Sequence, residues 1–317
     1  MWNTLLNFML DPNMLWILMG SLLLGLGSGV IGAFTFLRKQ SLLGDTLAHA
    51  ALPGICIAFM LTEIKSMGLF MLGAIVSGVI ATLGIHIITK FSRIKQDAAL
   101  GIVLTVFFGI GVVLMTKIQH SGSGNQSGLD KYMFGQAASM MLSDVYLMAG
   151  ISLVLIVVCT LLFKEFKLIC FDPAFARGLG FKVALLEQLL LLFTVIAVVI
   201  GIQAVGVVLV AALLITPAVA ARYWSETLGV MVVLAGLFGA LSGMVGTMIS
   251  SSVSNLPTGP VTVLSATALF TFSFLFAPAK GLVFKWMRQA RHRYDLKRQL
   301  DVEPIVSTKS TVERGEL

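Results

Sequence analysis

The sequence predicts an all-α polytopic membrane protein, with about eight to nine transmembrane helices and one short cytoplasmic helix among them. Three observations carry this. Only 12% of the 317 residues are charged, against roughly 25% in a soluble domain. Hydrophobic residues make up 57%, and the mean hydropathy is +0.97. The apolar residues also gather into runs of spanning length, with Lys and Arg concentrated in alternate connectors. The net charge of +7 does not point to nucleic acid: seven of the 22 basic residues fall between Lys280 and Arg298, beside the last apolar run. Residues 1–280 form the transmembrane domain. Residues 281–317 form a basic cytoplasmic tail, helical in its first half and disordered at its end.

No basic n-region or small-residue cleavage site precedes Asp11, so no removable signal peptide is expected. The first span covers Met14 to Phe36, where Gly20, Gly25, Gly27, Ser28, Gly29 and Gly32 suit close helix packing in lipid. Arg38 and Lys39 close it. The second, Leu42 to Thr62, carries Asp45 and His49, then Pro53 and Gly54, which mark a helix kink. The third runs from Met67 to Thr89, and the fourth from Ala98 to Thr116. Lys117 to Lys131 reads as a flexible Gly/Ser-rich loop, and Tyr132 to Leu142 is too short to cross. The fifth span is Val145 to Phe163.

Lys164 to Lys182 is the longest polar connector. Within it, Asp172 is placed to cap a short amphipathic helix with Pro173 at its first position, and Gly178 or Gly180 to end it. Val183 to Ala221 is 39 residues of nearly uninterrupted apolar sequence. A single helix of that length would reach about 58 Å, against a hydrocarbon core of roughly 30 Å. It therefore divides into two spans near Gly201–Gly206, with Pro217 kinking or breaking the second. Thr227 to Ile249 and Val261 to Ala279 complete the set. The connectors bearing Arg38/Lys39, Lys90–Lys95, Lys164–Lys182, Arg222 and the tail fall on one side. That places the C-terminus in the cytoplasm and the N-terminus outside.

Several chemistries are excluded. No G-x-x-x-x-G-K-[ST] is present to cradle ATP phosphates, and no H-E-x-x-H to hold an intramembrane protease zinc. Cys56, Cys159 and Cys170 have neither zinc-type spacing nor a disulfide framework, and read as buried packing residues. His86 stands alone in its span and reads as a packing histidine; Glu187, near the inner end of its own, reads as facing water. Asp45 and His49 remain. Four residues apart on a helix, they share one face. A carboxylate oxygen with an imidazole nitrogen suits Mn²⁺, Fe²⁺ or Zn²⁺. The same pair also fits a proton relay, or a structural pair bonded to backbone freed by Pro53. Two ligands make a poor site alone, whereas two copies across a two-fold axis supply four.

The stretch Leu37-Arg38-Lys39-Gln40-Ser41-Leu42-Leu43-Gly44-Asp45-Thr46-Leu47-Ala48-His49-Ala50-Ala51-Leu52-Pro53-Gly54 resembles the signature of the manganese/zinc/iron ABC-importer permeases. Phe171-Asp172-Pro173-Ala174-Phe175-Ala176-Arg177-Gly178-Leu179-Gly180 and the run from Val205 to Arg222 through Thr216-Pro217 are similar to two further segments of that family, in the same order. The likeness covers Leu5 to Lys285 and excludes the rest of the tail.

This resemblance implies a homodimeric permease of the bacterial plasma membrane, not itself an enzyme. It would work with a separate cytoplasmic ABC ATPase and an extracytoplasmic metal-binding lipoprotein. Asp45 and His49 then correspond to the metal-coordinating pair, and Asp172 to Gly180 to the helix that couples to the ATPase. The expected cargo is manganese, with zinc or iron(II) as alternatives, and no permanently bound cofactor. A proton-coupled secondary transporter and a membrane sensor or scaffold are the competing classes.

Overall fold

The computed structural model describes residues 12–63, 66–120, 142–252, 256–289 and 293, all helix or connecting turn. The principal helices are α1 (Pro12–Leu37), α2 (Leu43–Thr62), α3 (Met67–Phe91), α4 (Gln96–His120) and α5 (Leu142–Leu161). They continue with α6 (Phe163–Phe171), α7 (Pro173–Gly178), α8 (Val183–Val205), α9 (Val207–Trp224), α10 (Leu228–Ser252) and α11 (Thr258–Phe276). A last helix, α12, covers 282–289. Eight of these are long and apolar enough to cross a membrane, and α9 contributes a shorter apolar stretch, Leu209–Trp224. The segment from Tyr132 that is too short to cross, and the end of the tail, lie outside the described residues.

Helix α1 is the spine, and its longest contact is with α10. Glycine makes that contact possible. A Cβ on Gly25 would stand 2.1 Å from the carbonyl oxygen of Gly239, and one on Gly29 would stand 2.2 Å from that of Ala235. The two backbones touch directly, which small residues permit in a solvent where hydrophobic attraction between helices is absent. α2 packs on α3 and α4, while α9 packs among α1, α2, α10 and α11 near the middle of the bundle. α4, α5 and α11 keep most of their side chains uncovered, as lipid-facing helices would.

The division of the long apolar run falls at Gly206, where φ is +90° and ψ is +165°. Only glycine adopts this backbone readily, so α8 stops and α9 restarts within one residue. Pro53 and Pro217 both lie inside continuous helices, so neither breaks its helix. Gly54 has a packing role: a Cβ there would meet the carbonyl oxygen of Gly73 at 2.1 Å, and α2 crosses α3 at that point.

The polar connector after α5 holds two helices where the sequence suggested one. α6 forms because Phe163, Phe166, Ile169 and Cys170 repeat at helical spacing against Lys164, Glu165 and Lys167. Phe166 is fully buried, with its ring 5.5 Å from Phe34 of α1 and 6.2 Å from Phe193 of α8. The polar connector is thereby riveted to the bundle. Burial pushes the Cys170 thiol up to about 11, with the Arg38 guanidinium pulling the other way.

Candidate functional site

Asp45 is the third residue of α2 and His49 the seventh. They stand roughly 3 and 9 Å along the helix from its start. The pair therefore lies in the end of the bundle nearest the α1–α2 turn, short of the middle. A carboxylate in the first turn of a helix is favoured by the positive end of the helix dipole.

His49 Nε2 lies 3.5 Å from Asp45 Oδ1, longer than an ordinary hydrogen bond, so both atoms retain coordinating capacity. The His49 side chain is 16% exposed and that of Asp45 39%. The imidazole packs edge-on against Phe108 of α4, with centroids 4.8 Å apart, and its Nδ1 is buried without a hydrogen-bond partner. Thr46 holds the same face of α2 to α4 by donating to the carbonyl of Leu100 at 3.4 Å. On the far side, Ser77 donates to the Ala50 carbonyl at 2.6 Å. The pair is thus held by two neighbouring helices yet keeps a route to the outside of the chain.

No group of three or more His, Cys, Asp or Glu side chains that could hold a metal occurs among the described residues. One chain therefore presents two donors, below the four that a typical transition-metal site needs. The arrangement is open on the side where further ligands would enter.

A cavity of about 590 Å³ lies between α1, α2, α3 and α8, lined by Arg38, Gln40, His86, Gln96, Glu187 and Gln188 among others. Leu43 also forms its wall. Asp45, two residues on, points about 200° away around α2. Cavity and pair consequently occupy opposite faces of one helix. His86 is exposed on the cavity wall and is not packed as a buried histidine.

Glu187, expected to face water, accepts a hydrogen bond from the Arg38 guanidinium at 2.7 Å. This pair is the main element that sequence reasoning missed. A lone acid in the first turns of an apolar helix and a lone Arg ending another, both assigned to the cytoplasmic side, were its only signal.

The segment Asp172–Gly180 folds as its sequence anticipates. Asp172 Oδ1 accepts from the Phe175 amide at 2.9 Å, and Pro173 occupies the first turn of α7. Ala176 is fully buried, and Arg177 Nε donates back to the Pro173 carbonyl at 3.3 Å. Gly178 ends the helix and Gly180, at φ +87°, turns the chain into α8. Ala174 is exposed. Phe171, Phe175, Leu179 and Phe181 are all more than 40% exposed, an apolar ridge beside Arg177 and Lys182.

The ABC 3 transport family matches residues 10–277, and the chain belongs to that family. It is 54% identical over 282 residues to the manganese transport system membrane protein MntC of Bacillus subtilis. That alignment covers 89% of this chain but 65% of the relative's length, less than two thirds. It is 44% identical over 275 residues to the zinc transport system membrane protein TroC of Treponema pallidum, covering 87% of this chain and 92% of the relative. Among solved structures it resembles PsaBC from Streptococcus pneumoniae in complex with Fab, with a TM-score of 0.79 and 28% identity, over 92% of this chain and all of the other.

Proposed function

We propose that this chain is the transmembrane permease subunit of an ATP-driven importer of divalent transition metal ions, with manganese the favoured cargo. The observation that carries the reading is the Asp45/His49 pair: two hard-to-borderline donors near one end of a spanning helix, with an uncommitted ring nitrogen and too few ligands to trap an ion permanently. A pathway needs such weak ligation, because tight coordination would stop transit. The MntC likeness at 54% supports manganese, and the TroC likeness at 44% keeps zinc as the alternative.

The remaining parts follow from the incompleteness of one chain. A second copy supplies the other Asp45 and His49, making a homodimeric site. A separate ABC ATPase docks on the exposed ridge of α7, and an extracytoplasmic metal-binding lipoprotein delivers the ion. The protein lies in the bacterial plasma membrane with its C-terminus in the cytoplasm, the orientation required for the α7 ridge to meet an ATPase.

The test is uptake of Mn²⁺, Zn²⁺ and Fe²⁺ into proteoliposomes holding the permease with its ATPase, with ATP present or absent. ATP-dependent Mn²⁺ uptake is expected. Uptake that continues without ATP and collapses with the proton gradient would replace this reading by a proton-coupled one.

A further inference from the structure

The match to the family model ends at residue 277, and α12 lies beyond it. The last span, α11, stops at Phe276, and the chain then turns through Ala277–Gly281. The turn is tight and fixed. The Gly281 amide donates to the Ala277 carbonyl at 2.8 Å, and a Cβ on Gly281 would stand 2.4 Å from the same oxygen. Lys280 Nζ lies 3.3 Å from Glu226 Oε1, joining the turn to the α9–α10 loop, and Arg288 donates to the Pro278 carbonyl at 3.4 Å. α12 therefore starts after a five-residue turn and is held at the end of the bundle where that spanning helix stops.

Its side chains are sorted. At 100° per residue, Leu282, Val283, Phe284, Trp286 and Met287 share an arc of about 200°, and Lys285, Arg288 and Gln289 take the remainder. Every one of these residues is exposed, Trp286 by 75%. An indole and four aliphatic, aromatic or thioether side chains left open in water would be unfavourable, and nothing among the described residues covers them. A basic amphipathic helix with Trp on its apolar face is the composition that lies in a membrane interface.

We infer that α12 is an interfacial helix that rests its apolar arc in the inner leaflet and draws its affinity from anionic phospholipid headgroups. Charge complementarity selects this occupant. Lys280, Lys285 and Arg288 belong to a run of seven basic residues with a single acid, Asp295, between Lys280 and Arg298. The cytoplasmic leaflet is the negatively charged surface within reach of that run. Because the turn also grips the α9–α10 loop through Glu226, lipid charge would reach the bundle through this contact. The inference rests on the cytoplasmic placement of the C-terminus proposed above.

The experiment uses the full-length chain in lipid nanodiscs, with a nitroxide attached at Val283→Cys. Cys56 and Cys159 are buried, and the raised Cys170 thiol reacts slowly, so the new cysteine labels selectively. In phosphatidylcholine mixed with phosphatidylglycerol, the label is expected to be shielded from a water-soluble nickel chelate and open to oxygen. In phosphatidylcholine alone that shielding should largely disappear. Replacing Lys285→Gln with Arg288→Gln should weaken the lipid-charge dependence about fivefold per cation removed. Equal access to the chelate in both lipids would overturn the inference. So would shielding that arises only on adding the ATPase subunit, which would make the arc a protein-docking face. Orientation is read separately, in sealed vesicles: reduction of the label by an impermeant reagent on the extracytoplasmic side would overturn the inner-leaflet assignment whatever the shielding shows.

Discussion

The guanidinium of Arg38 and the carboxylate of Glu187, 149 residues apart in the chain, meet at 2.7 Å across the contact of α1 with α8. Arg38 lies at the mouth of the turn leading to Asp45. Glu187 lies one turn into the helix that follows α7. The ion pair thus ties the segment proposed to face the ATPase to the segment that carries the proposed metal ligands.

Removing one partner should show what this tie does. The Arg38 and Glu187 side chains are 16% and 35% exposed, between a surface pair and a buried one. Glu187→Gln should therefore lower stability by about 1–2 kcal/mol, read by thermal unfolding of the purified protein. The double exchange Arg38→Glu with Glu187→Arg should recover part of the loss. Recovery of stability without recovery of metal-stimulated ATP hydrolysis would show that the tie also sets geometry. No recovery of either would remove the pair from the account.

Asp45→Asn and His49→Ala should each reduce metal uptake by more than about a hundredfold, the upper range seen when groups merely supporting a metal ligand are lost. Membrane insertion should be unchanged in both; Asp45→Asn should barely move the melting temperature, whereas His49→Ala, which removes the ring packed against Phe108 of α4, should lower it modestly. Unchanged uptake in either variant would end the pathway assignment.

Ala176→Pro removes the amide that donates to the Asp172 carbonyl at 3.1 Å and disrupts α7. The variant should insert and fold, since α7 lies outside the spans, but ATP hydrolysis should no longer respond to metal. Asp172→Ala, which removes only the cap, should cost about 1 kcal/mol of local stability and give a partial version of the same effect. If binding of the ATPase subunit were unaltered in Ala176→Pro, the docking role of α7 would be wrong.

The Cys170 thiol, pushed up to about 11 by burial against α1, holds its proton more tightly in the fold than in the unfolded chain. At pH 8 only about one thiol in a thousand is ionised, so alkylation should be slow and should accelerate as pH approaches 11. The neutral thiol's contribution to stability is complete below about pH 9 and declines as pH rises from there to 11. Rapid labelling of Cys170 in the folded protein at pH 8 would show that α6 is not seated on the bundle.

Much of this architecture was legible in the chain, because its causes are local. Each spanning run is a count of apolar residues against a fixed hydrocarbon thickness. The Asp45/His49 relationship is a spacing of four on a helix, and α7 is announced by Asp172, Pro173 and the glycines that follow. α6 was less visible, since its apolar repeat is short and embedded among charged residues that read as connector. The ion pair of Glu187 was not legible for another reason: its partner lies 149 residues away, and no local pattern encodes which helix will stand opposite.

The sequence by itself determined the fold class, the number of crossings to within one, the capped connector helix and the pairing of Asp45 with His49 on one helix face. Hydropathy, helical periodicity and capping act within a few turns of chain, so they can be read in one dimension. Tertiary structure decided the rest. It set Gly25 against Gly239 and Gly54 against Gly73, placed His49 beside Phe108, and closed Arg38 on Glu187. It also put Asp45 and the cavity behind Leu43 on opposite faces of α2. Those outcomes depend on how helices cross, which steric fit between distant segments selects.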